Sequence, residues 1–553
     1  MTQTAECGYN DYQPEKGLEH FLGSIVVVSD GTRNGTIPAL KLVDGQQRLI
    51  TLSLILCVLR ELIKSTDTNL ASKIEAMLIN SHETDNLRYK VFPSTKYNDR
   101  AAYISIINTN PLKFEDSRVI KAYNYFHDKI SDLHKEKVSL QLLYEVLVTC
   151  FQVVFINLHQ NESPYKIFES LNAKGKPLSQ ADLVRNYIAM KLPTDLQEKV
   201  FNNDWARTEE LLREQEKIGQ VGELTAFLRH YLAMHRSVLY SEEYIYPRFR
   251  SYIEQVCPDT DSVVKEIGKI RQYAEYYDKL LRPDREINHE LRSALTRLQT
   301  MEPSTTFPML LAAYHAFHIG KINIKEFINL LKMLENYMVR RYICAERTNS
   351  MNKWFPTLWR EIEQNWKDLT FLDACRKALA SYHYPSDRQV RQAAQETKLY
   401  GKTAQHRNKI TLILETIEQH LWSGTDVTVK LDGTSTIEHI MPQSPTSEWK
   451  AYLGKNWPQI YDEYLHTLGN LTLVTQGKNS QLSTYQFSRK KDLLMSHGYR
   501  INKYFSRNIT RWDEHAIKNR AEWLVPFIIE IWPSLADEEE PLLLNELATS
   551  SMM

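Results

Sequence analysis

The 553-residue sequence has no surplus of either charge: 68 Lys and Arg face 68 Asp and Glu, a formal net charge of 0. A protein that holds nucleic acid by bulk charge is excluded, and any DNA or RNA contact needs a local basic surface. Glycine is scarce, 18 in all, while Leu, Glu, Lys and Tyr are plentiful, so the composition leans helical. The six cysteines, at 7, 57, 150, 257, 344 and 375, form no CxxC, and no two lie closer than 31 positions. That spacing speaks against a zinc knuckle or a thioredoxin-type site and fits a reducing compartment. Long apolar runs are also missing. The longest, Leu49 to Leu59, is interrupted by Thr51 and Ser53 and falls far short of the ~20 residues of a membrane span. The first fifteen residues hold no apolar core for a signal peptide, and the expectation is a cytoplasmic protein. What is present is ordinary globular material, 42% hydrophobic and 25% charged. At roughly 150 residues per domain, the length asks for three or four domains.

Along the chain, FLGSIVVVSDG and PALKLVDG read as two short, adjacent strands, rich in Val and Ile and bounded by Asp-Gly signals. From Gln46 the pattern becomes apolar nearly all round, QQRLITLSLILCVLRELIKS, the mark of a helix buried in a core. A helical tract over 119–133, a third strand at 151–158 and a helix from Gln180 follow, the last opened by the capping pair Ser179 and Asp182. Residues 1–190 are expected to form one mixed α/β domain. Between 195 and 380 there is no convincing strand, and 191–384 reads as a helical connector. A polar stretch from Tyr382 marks the next boundary; 385–535 forms a third domain, and 536–553 a frayed tail.

Asp44-Gly45-Gln46-Gln47-Arg48 sits where a strand turns into the buried helix. Asp44 can cap that helix, Gly45 permits a tight turn, and the free N–H groups of a helix start bind phosphate-like anions. Arg48 is the oddity, because a cation in the first turn opposes the helix dipole. Either a bound anion compensates it, or Arg48 pairs with Asp44 and merely fixes the turn. Gly401-Lys402-Thr403 imitates the end of a P-loop, but the first glycine of that loop would fall at Glu396, and no GxGxxG occurs.

FLGSIVV…LKLVDGQQRLITL, with KIFESLNAKGKPLSQADLVRN further on, resembles the N-terminal domain of GmrSD-type restriction proteins, which is related to the ParB/sulfiredoxin fold. The resemblance implies a nucleotide-binding and hydrolysing site at Asp44, Gly45, Gln46, Gln47 and Arg48, closed by Asn172, Lys174 and Gly175. The family's Tyr-Gln-Arg motif has only Tyr12-Gln13-Pro14 as its counterpart, so this domain reads as N-terminally short.

STIEHIMPQ places Glu438 and His439 at the end of a short strand; Asn470 follows in LGNLTLVT, and Asn479 nine residues later at the start of a helix. An acid–His pair, a strand-borne Asn and a helix-borne Asn make the ββα-metal, or HNH, nuclease layout. A neutral His439 can take a proton from attacking water, and carboxylate and amide oxygens suit Mg²⁺ or Mn²⁺. Taken singly, each residue has a plainer reading: a surface Glu–His pair, a turn Asn, a helix-capping Asn. The segment 385–535 resembles the GmrD-type HNH domain. The resemblance implies His439 as general base, Glu438 and Asn479 as metal ligands, and Asn470 as the residue that orients the His-bearing loop. Arg489-Lys490-Lys491 reads either as a solvated helix face or as a phosphate track. Arg340 and Arg341, with Arg347, read either as DNA contacts or as solvated or acid-paired residues, and the His230/His235 and His315/His318 pairs as structural.

The expected architecture is mainly α, with a small α/β N-terminal domain, a helical middle and a C-terminal domain containing the ββα-metal motif. The expected function is a nucleotide-regulated, modification-dependent endonuclease acting on double-stranded, modified phage DNA. Its cofactors would be Mg²⁺ or Mn²⁺ and an NTP of undetermined base, and its assembly a monomer or a homodimer. An SspE-like enzyme coupled to phosphorothioate DNA and a non-cleaving, nucleotide-dependent DNA-binding module are the alternatives.

Overall fold

The computed structural model describes residues 20–29, 40–83, 88–91, 99–109, 117–158, 179–193, 196, 199–212, 222–301, 304–348, 350–423, 435–482 and 484–536. The chain is mostly helical and divides into two compact units, Met1–Thr225 with Glu242–Arg271, and Ala226–Ser241 with Gln272–Met553. Segments of the helical middle fall in both units. Among the described residues of 195–380 there is no strand, as the sequence leads one to expect.

In the first unit, strands β1 (His20–Ser29) and β2 (Leu40–Asp44) lead into helix α1 (Gln46–Ile63). Helices α2 (Thr68–Leu78), α3 (Asp99–Ile107), α4 (Arg118–Lys135) and α5 (Leu140–Thr149) follow, then β3 (Phe151–Leu158) and α6 (Gln180–Lys191). β1 pairs antiparallel with β2 and parallel with β3, in the order β2-β1-β3. Alternation along β1 puts Val26 and Val28 on one face, where they join Val43, Ile156 and Leu158 against Leu183 and Met190 of α6. Ser179 caps α6 by accepting from the Asp182 N–H, as its sequence signature suggests.

α1 is apolar on all sides because it has neighbours on several: Leu54, Cys57, Val58, Leu59 and Ile63 are buried among residues of α2 to α5. The one cation in that stripe, Arg60, is buried and donates to the carbonyls of Ile106 (3.3 Å) and Ile107 (2.7 Å) at the end of α3. There it satisfies acceptors that the helix itself leaves open. Burial pushes the Cys57 thiol up to about 12, which makes it an unreactive core group.

In the second unit, helix α7 (Ile324–Ile343) starts from a capping box of Asn323 and Glu326. Helices α8 (Asp387–Glu396) and α9 (Ala404–Leu421) precede strand β4 (Ser435–His439). Next come α10 (Ser447–Leu453), α11 (Trp457–Tyr464), β5 (Leu471–Thr475), α12 (Gln476–Leu482), α13 (Phe487–Met495) and α14 (Glu514–Ile531). A core of Ile440, Met441, Trp449, Val474, Phe487, Leu494, Phe505, Trp512 and Ile517 holds this end together.

Arg340 and Arg341 of α7 are not DNA contacts. Both are buried; Arg340 binds the carbonyls of Pro385 (3.0 Å) and Trp532 (2.8 Å) and the Asp387 carboxylate. Arg341 binds the carbonyls of His383 (2.8 Å) and Arg347 (2.7 Å). The polar stretch around 382–387, which reads as a boundary, is thus tied to α7 by these buried arginines. The GKT imitation has a structural use as well: the Thr403 side chain caps α9 by accepting from the His406 N–H. No helix among the described residues is long and apolar enough to cross a membrane.

His230 is buried with its Nδ1 3.1 Å from the Tyr277 hydroxyl, and burial holds its pKa down at about 3. An unfolded histidine titrates near 6.5, so between about pH 6.5 and 3 the unfolded chain binds a proton that the folded chain refuses. The stability that neutral His230 contributes is complete above pH 6.5 and lost as pH falls through that window, about 2 kcal/mol of it by pH 5. We expect His230→Phe to show a smaller fall in melting temperature between pH 7 and 5 than the wild type; equal falls would show that His230 is not held neutral.

Candidate active site

β4 and β5 form an antiparallel pair in which Glu438 faces Thr472 and His439 faces Leu471. α12 follows β5 directly, so the chain order is strand, strand, helix. The ribbon is fixed by the turn that precedes β5. Gly469 there can only be glycine, since a Cβ would lie 2.0 Å from the Ile517 carbonyl oxygen of α14. From the same helix, the buried Arg520 donates to the carbonyls of Gly469 (2.9 Å) and Leu471 (2.5 Å).

Asn470, between them, is fully buried and uses its whole carboxamide. Its oxygen accepts from Met441 N (2.8 Å) and Trp512 Nε1 (3.0 Å), and its Nδ2 donates to the carbonyls of Met441 (3.1 Å) and Leu465 (2.9 Å). It therefore touches the chain two residues beyond His439. Asn479 lies on α12 and donates its Nδ2 to Thr436 Oγ1 (2.8 Å) and the Ile437 carbonyl (3.2 Å). Thr436 and Glu438, two apart, share one face of β4, and the Asn479 carboxamide oxygen is not spent on either bond.

Glu438 is buried and meets a partner that the sequence does not announce: Lys490 of α13, whose Nζ lies 2.5 Å from Glu438 Oε1 and 2.8 Å from the His439 carbonyl. Lys490 has no exposed surface. Burial outweighs their mutual attraction, holding the Glu438 carboxyl above and the Lys490 ammonium below their ordinary ranges. The phosphate-track reading of Arg489-Lys490-Lys491 is thereby corrected. Lys490 faces inward, Lys491 binds the carbonyls of Arg507 (3.2 Å) and Ile509 (2.9 Å), and Arg489 lies over the Tyr485 ring. A signal was present, since Phe487, Lys490 and Leu494 recur at helical spacing and form the buried stripe of α13.

His439 is 3% exposed. Burial first, then His466 and Lys490, push its pKa down to about 3, so the imidazole is neutral across the physiological range. Its Nε2 lies 3.2 Å from Nδ1 of His466. Tyr400 packs against both rings, edge-on to His439 at 4.6 Å and stacked on His466 at 5.6 Å. Sequence reasoning passed over both: His466 stands four residues before Asn470, and Tyr400 lies in the polar stretch. Among the described residues, no three His, Cys, Asp or Glu gather as a metal cage. What Glu438 and Asn479 offer is one carboxylate and one carboxamide oxygen, a hard and incomplete donor set that fits a divalent ion keeping several of its waters.

At the other sequence constellation the structure gives a correction. Asp44 does not cap α1; the N-cap is Gly45, left-handed at φ 97°, which has no side chain to cap the helix. Asp44 Oδ2 instead takes Arg48 Nη1 at 3.2 Å and lies 3.4 Å from the Ser24 hydroxyl. Arg48 also donates to the Ser24 carbonyl at 2.6 Å, so the Arg48–Asp44 pair that would fix the turn is present. Gln46 and Gln47 are exposed at the helix start, Gln46 donating to the Val43 carbonyl (3.1 Å). Asn172, Lys174 and Gly175 lie outside the described residues, as do Tyr12, Gln13, Pro14 and the tail beyond residue 536.

The two constellations fall in separately recognisable domains. Residues 384–526 match the C-terminal domain of the GmrSD restriction endonucleases, and residues 9–189 match their N-terminal domain. The protein is therefore a restriction endonuclease, an enzyme that acts on DNA. The two matches together cover more than half of the chain, which belongs to the GmrSD family and carries both of its domains on one polypeptide. No curated protein matches the chain.

The Glu438–Lys490 pair generates a prediction. Removing one partner of a buried pair leaves the other uncompensated, at a cost of roughly 3–5 kcal/mol. Lys490→Met should lower stability by about that amount, and adding Glu438→Gln should recover much of it. A double variant no more stable than Lys490→Met, by urea denaturation, would count against the pairing.

Proposed function

We propose that this restriction endonuclease is nucleotide-regulated and modification-dependent, cutting modified phage DNA by metal-assisted phosphodiester hydrolysis at an HNH-type site. The observation that carries the reading is the neutral imidazole of His439 next to the buried carboxylate of Glu438, on a strand–strand–helix unit within the segment that matches the endonuclease domain. His439 takes the proton of the attacking water. Glu438 and Asn479 hold Mg²⁺ or Mn²⁺. When bound, such an ion stabilises charge on the phosphoryl oxygen and on the departing 3′ oxygen. Asn470 orients the loop that carries His439, through Met441. Lys490 keeps Glu438 and the His439 backbone in register.

The N-terminal domain supplies the regulation. We assign NTP binding and hydrolysis to the start of α1, where the helix N–H groups, exposed Gln46 and Gln47, and Arg48 can meet phosphate. This helix start would belong to a ParB/sulfiredoxin-like domain, with Asn172, Lys174 and Gly175 closing the site. The DNA is double-stranded, the enzyme works in the cytoplasm where phage DNA arrives, and a homodimer would allow both strands to be cut.

The test is to incubate the protein with unmodified, hydroxymethylated, glucosylated and phosphorothioated DNA, with and without each NTP, in Mg²⁺, Mn²⁺ or EDTA, and to score nicks. We expect cleavage of a modified DNA only, dependent on the divalent ion. His439→Ala should lower it ~10²–10⁴-fold while NTP turnover and DNA retention persist; full cleavage in excess EDTA would sink the metal assignment. Arg48→Ala should weaken NTP binding while costing at most about 1 kcal/mol of stability, because the Arg48–Asp44 pair is partly open to solvent. Unchanged NTP turnover in that variant would leave Arg48 a turn-fixing residue.

A further inference from the structure

His439 carries a second histidine against its ring that the proposed chemistry has not used. His439 Nε2 and His466 Nδ1 are 3.2 Å apart, so a proton lies between them, and its owner decides what His439 can do. If His466 donates, the lone pair of His439 is spent on His466 and its proton sits on Nδ1. If His439 donates from Nε2, Nδ1 carries the lone pair, and among the described residues that atom takes no hydrogen bond.

His466 is built into place rather than resting on the surface. Its carbonyl accepts from Leu399 N (2.8 Å) and Tyr400 N (3.3 Å), and the neighbouring Leu465 carbonyl accepts from Asn470 Nδ2 (2.9 Å). Tyr400 stacks on its ring face at an interplanar angle of 17°. Burial and the nearby Lys398 keep its pKa below the ordinary histidine value, which favours a neutral ring able to accept.

We propose that His466 is a positioning residue for the base: its Nδ1 accepts the Nε2 proton of His439, fixing the ring and the tautomer so that Nδ1 of His439 faces the reacting water. The inference rests on the reading of His439 as general base. When His439 takes the water proton at Nδ1, it becomes an imidazolium whose Nε2–H still points at His466 Nδ1. That hydrogen bond is then charge-assisted and stronger than before. The logic is that of a base oriented by a third group, with a neutral imidazole in place of a carboxylate.

The experiment measures single-turnover nicking on whichever DNA the wild type cuts best, together with DNA affinity and melting temperature, for His439→Ala, His466→Ala, His466→Leu and His466→Asn. Loss of an orienting partner should lower the rate roughly 10- to 100-fold in His466→Ala and His466→Leu with DNA affinity unchanged. His466→Asn, whose side-chain oxygen can accept the same proton, should recover most of the rate. Wild-type nicking by His439→Ala would overturn the general-base reading itself. A dead His439→Ala beside a wild-type rate in His466→Ala would overturn only the role given to His466. A loss in His466→Ala that His466→Asn fails to restore would also overturn it, because acceptance of a proton would then not be what His466 supplies.

Discussion

The carboxamide of Asn470 sets the geometry of the C-terminal site. One side chain satisfies both backbone groups of Met441, the carbonyl of Leu465 and the indole N–H of Trp512, all within a buried core. Met441 lies two residues beyond His439, and Leu465 immediately precedes His466. A single planar group therefore ties the exit of β4 to the turn that carries the second histidine, so the separation of the two imidazoles follows from amide geometry and not from chance packing. Every bond is out of reach of water, so each group left open by losing Asn470 would cost about 1–3 kcal/mol. Gly469 and Arg520 serve the same turn, one by allowing α14 to approach, the other by satisfying carbonyls on both sides of Asn470.

The same region spends stability on polar groups. A buried ion pair commonly contributes less than well-packed apolar side chains of similar volume would, yet Lys490 and Glu438 occupy such a position. The apolar residues around them, Phe487, Leu494, Trp512 and Val474, supply the burial that makes this tolerable. What the pair provides is placement: a fully buried ammonium holds both the Glu438 carboxylate and the His439 backbone. Desolvation does the rest, keeping His439 neutral.

Much of this was legible in the sequence, and the exceptions have physical reasons. Strands β1, β2 and β3 announce themselves through β-branched runs, and α1 through its apolar surround. The Glu438, His439, Asn470 and Asn479 series lands on β4, the turn before β5, and α12. The exceptions concern cations. The acid-paired alternative holds for Arg340, which meets Asp387, but charge alone does not show that Arg340, Arg341 and Lys490 each sit at a helical position where the neighbours at i±3 or i±4 are buried. A long side chain can reach carbonyls and carboxylates across a core, and one-dimensional charge reading has no access to such partners. Asp44 pairs with Arg48 instead of capping the helix. The left-handed turn at Gly45 shifts the cap by one residue and releases the carboxylate to Arg48 and Ser24. His466 was invisible because its meaning depends on a contact spanning 27 residues, across two helices, to His439.

The two constellations are built on opposite physics. At the start of α1 the polar groups face outward: the N-cap is a glycine, two glutamines stand exposed, and the cation is only partly covered. A helix start of this kind favours negative charge through its N–H groups and dipole. At Glu438 and His439 the polar groups are already matched by Lys490, His466 and Asn470, and little is left open to water. The first arrangement costs little to hold empty and responds to what binds. The second has its donors and acceptors paired within the fold itself. The two ends of the chain thus hold their polar groups in opposite ways, one with side chains turned to solvent and one with donors and acceptors matched inside the core.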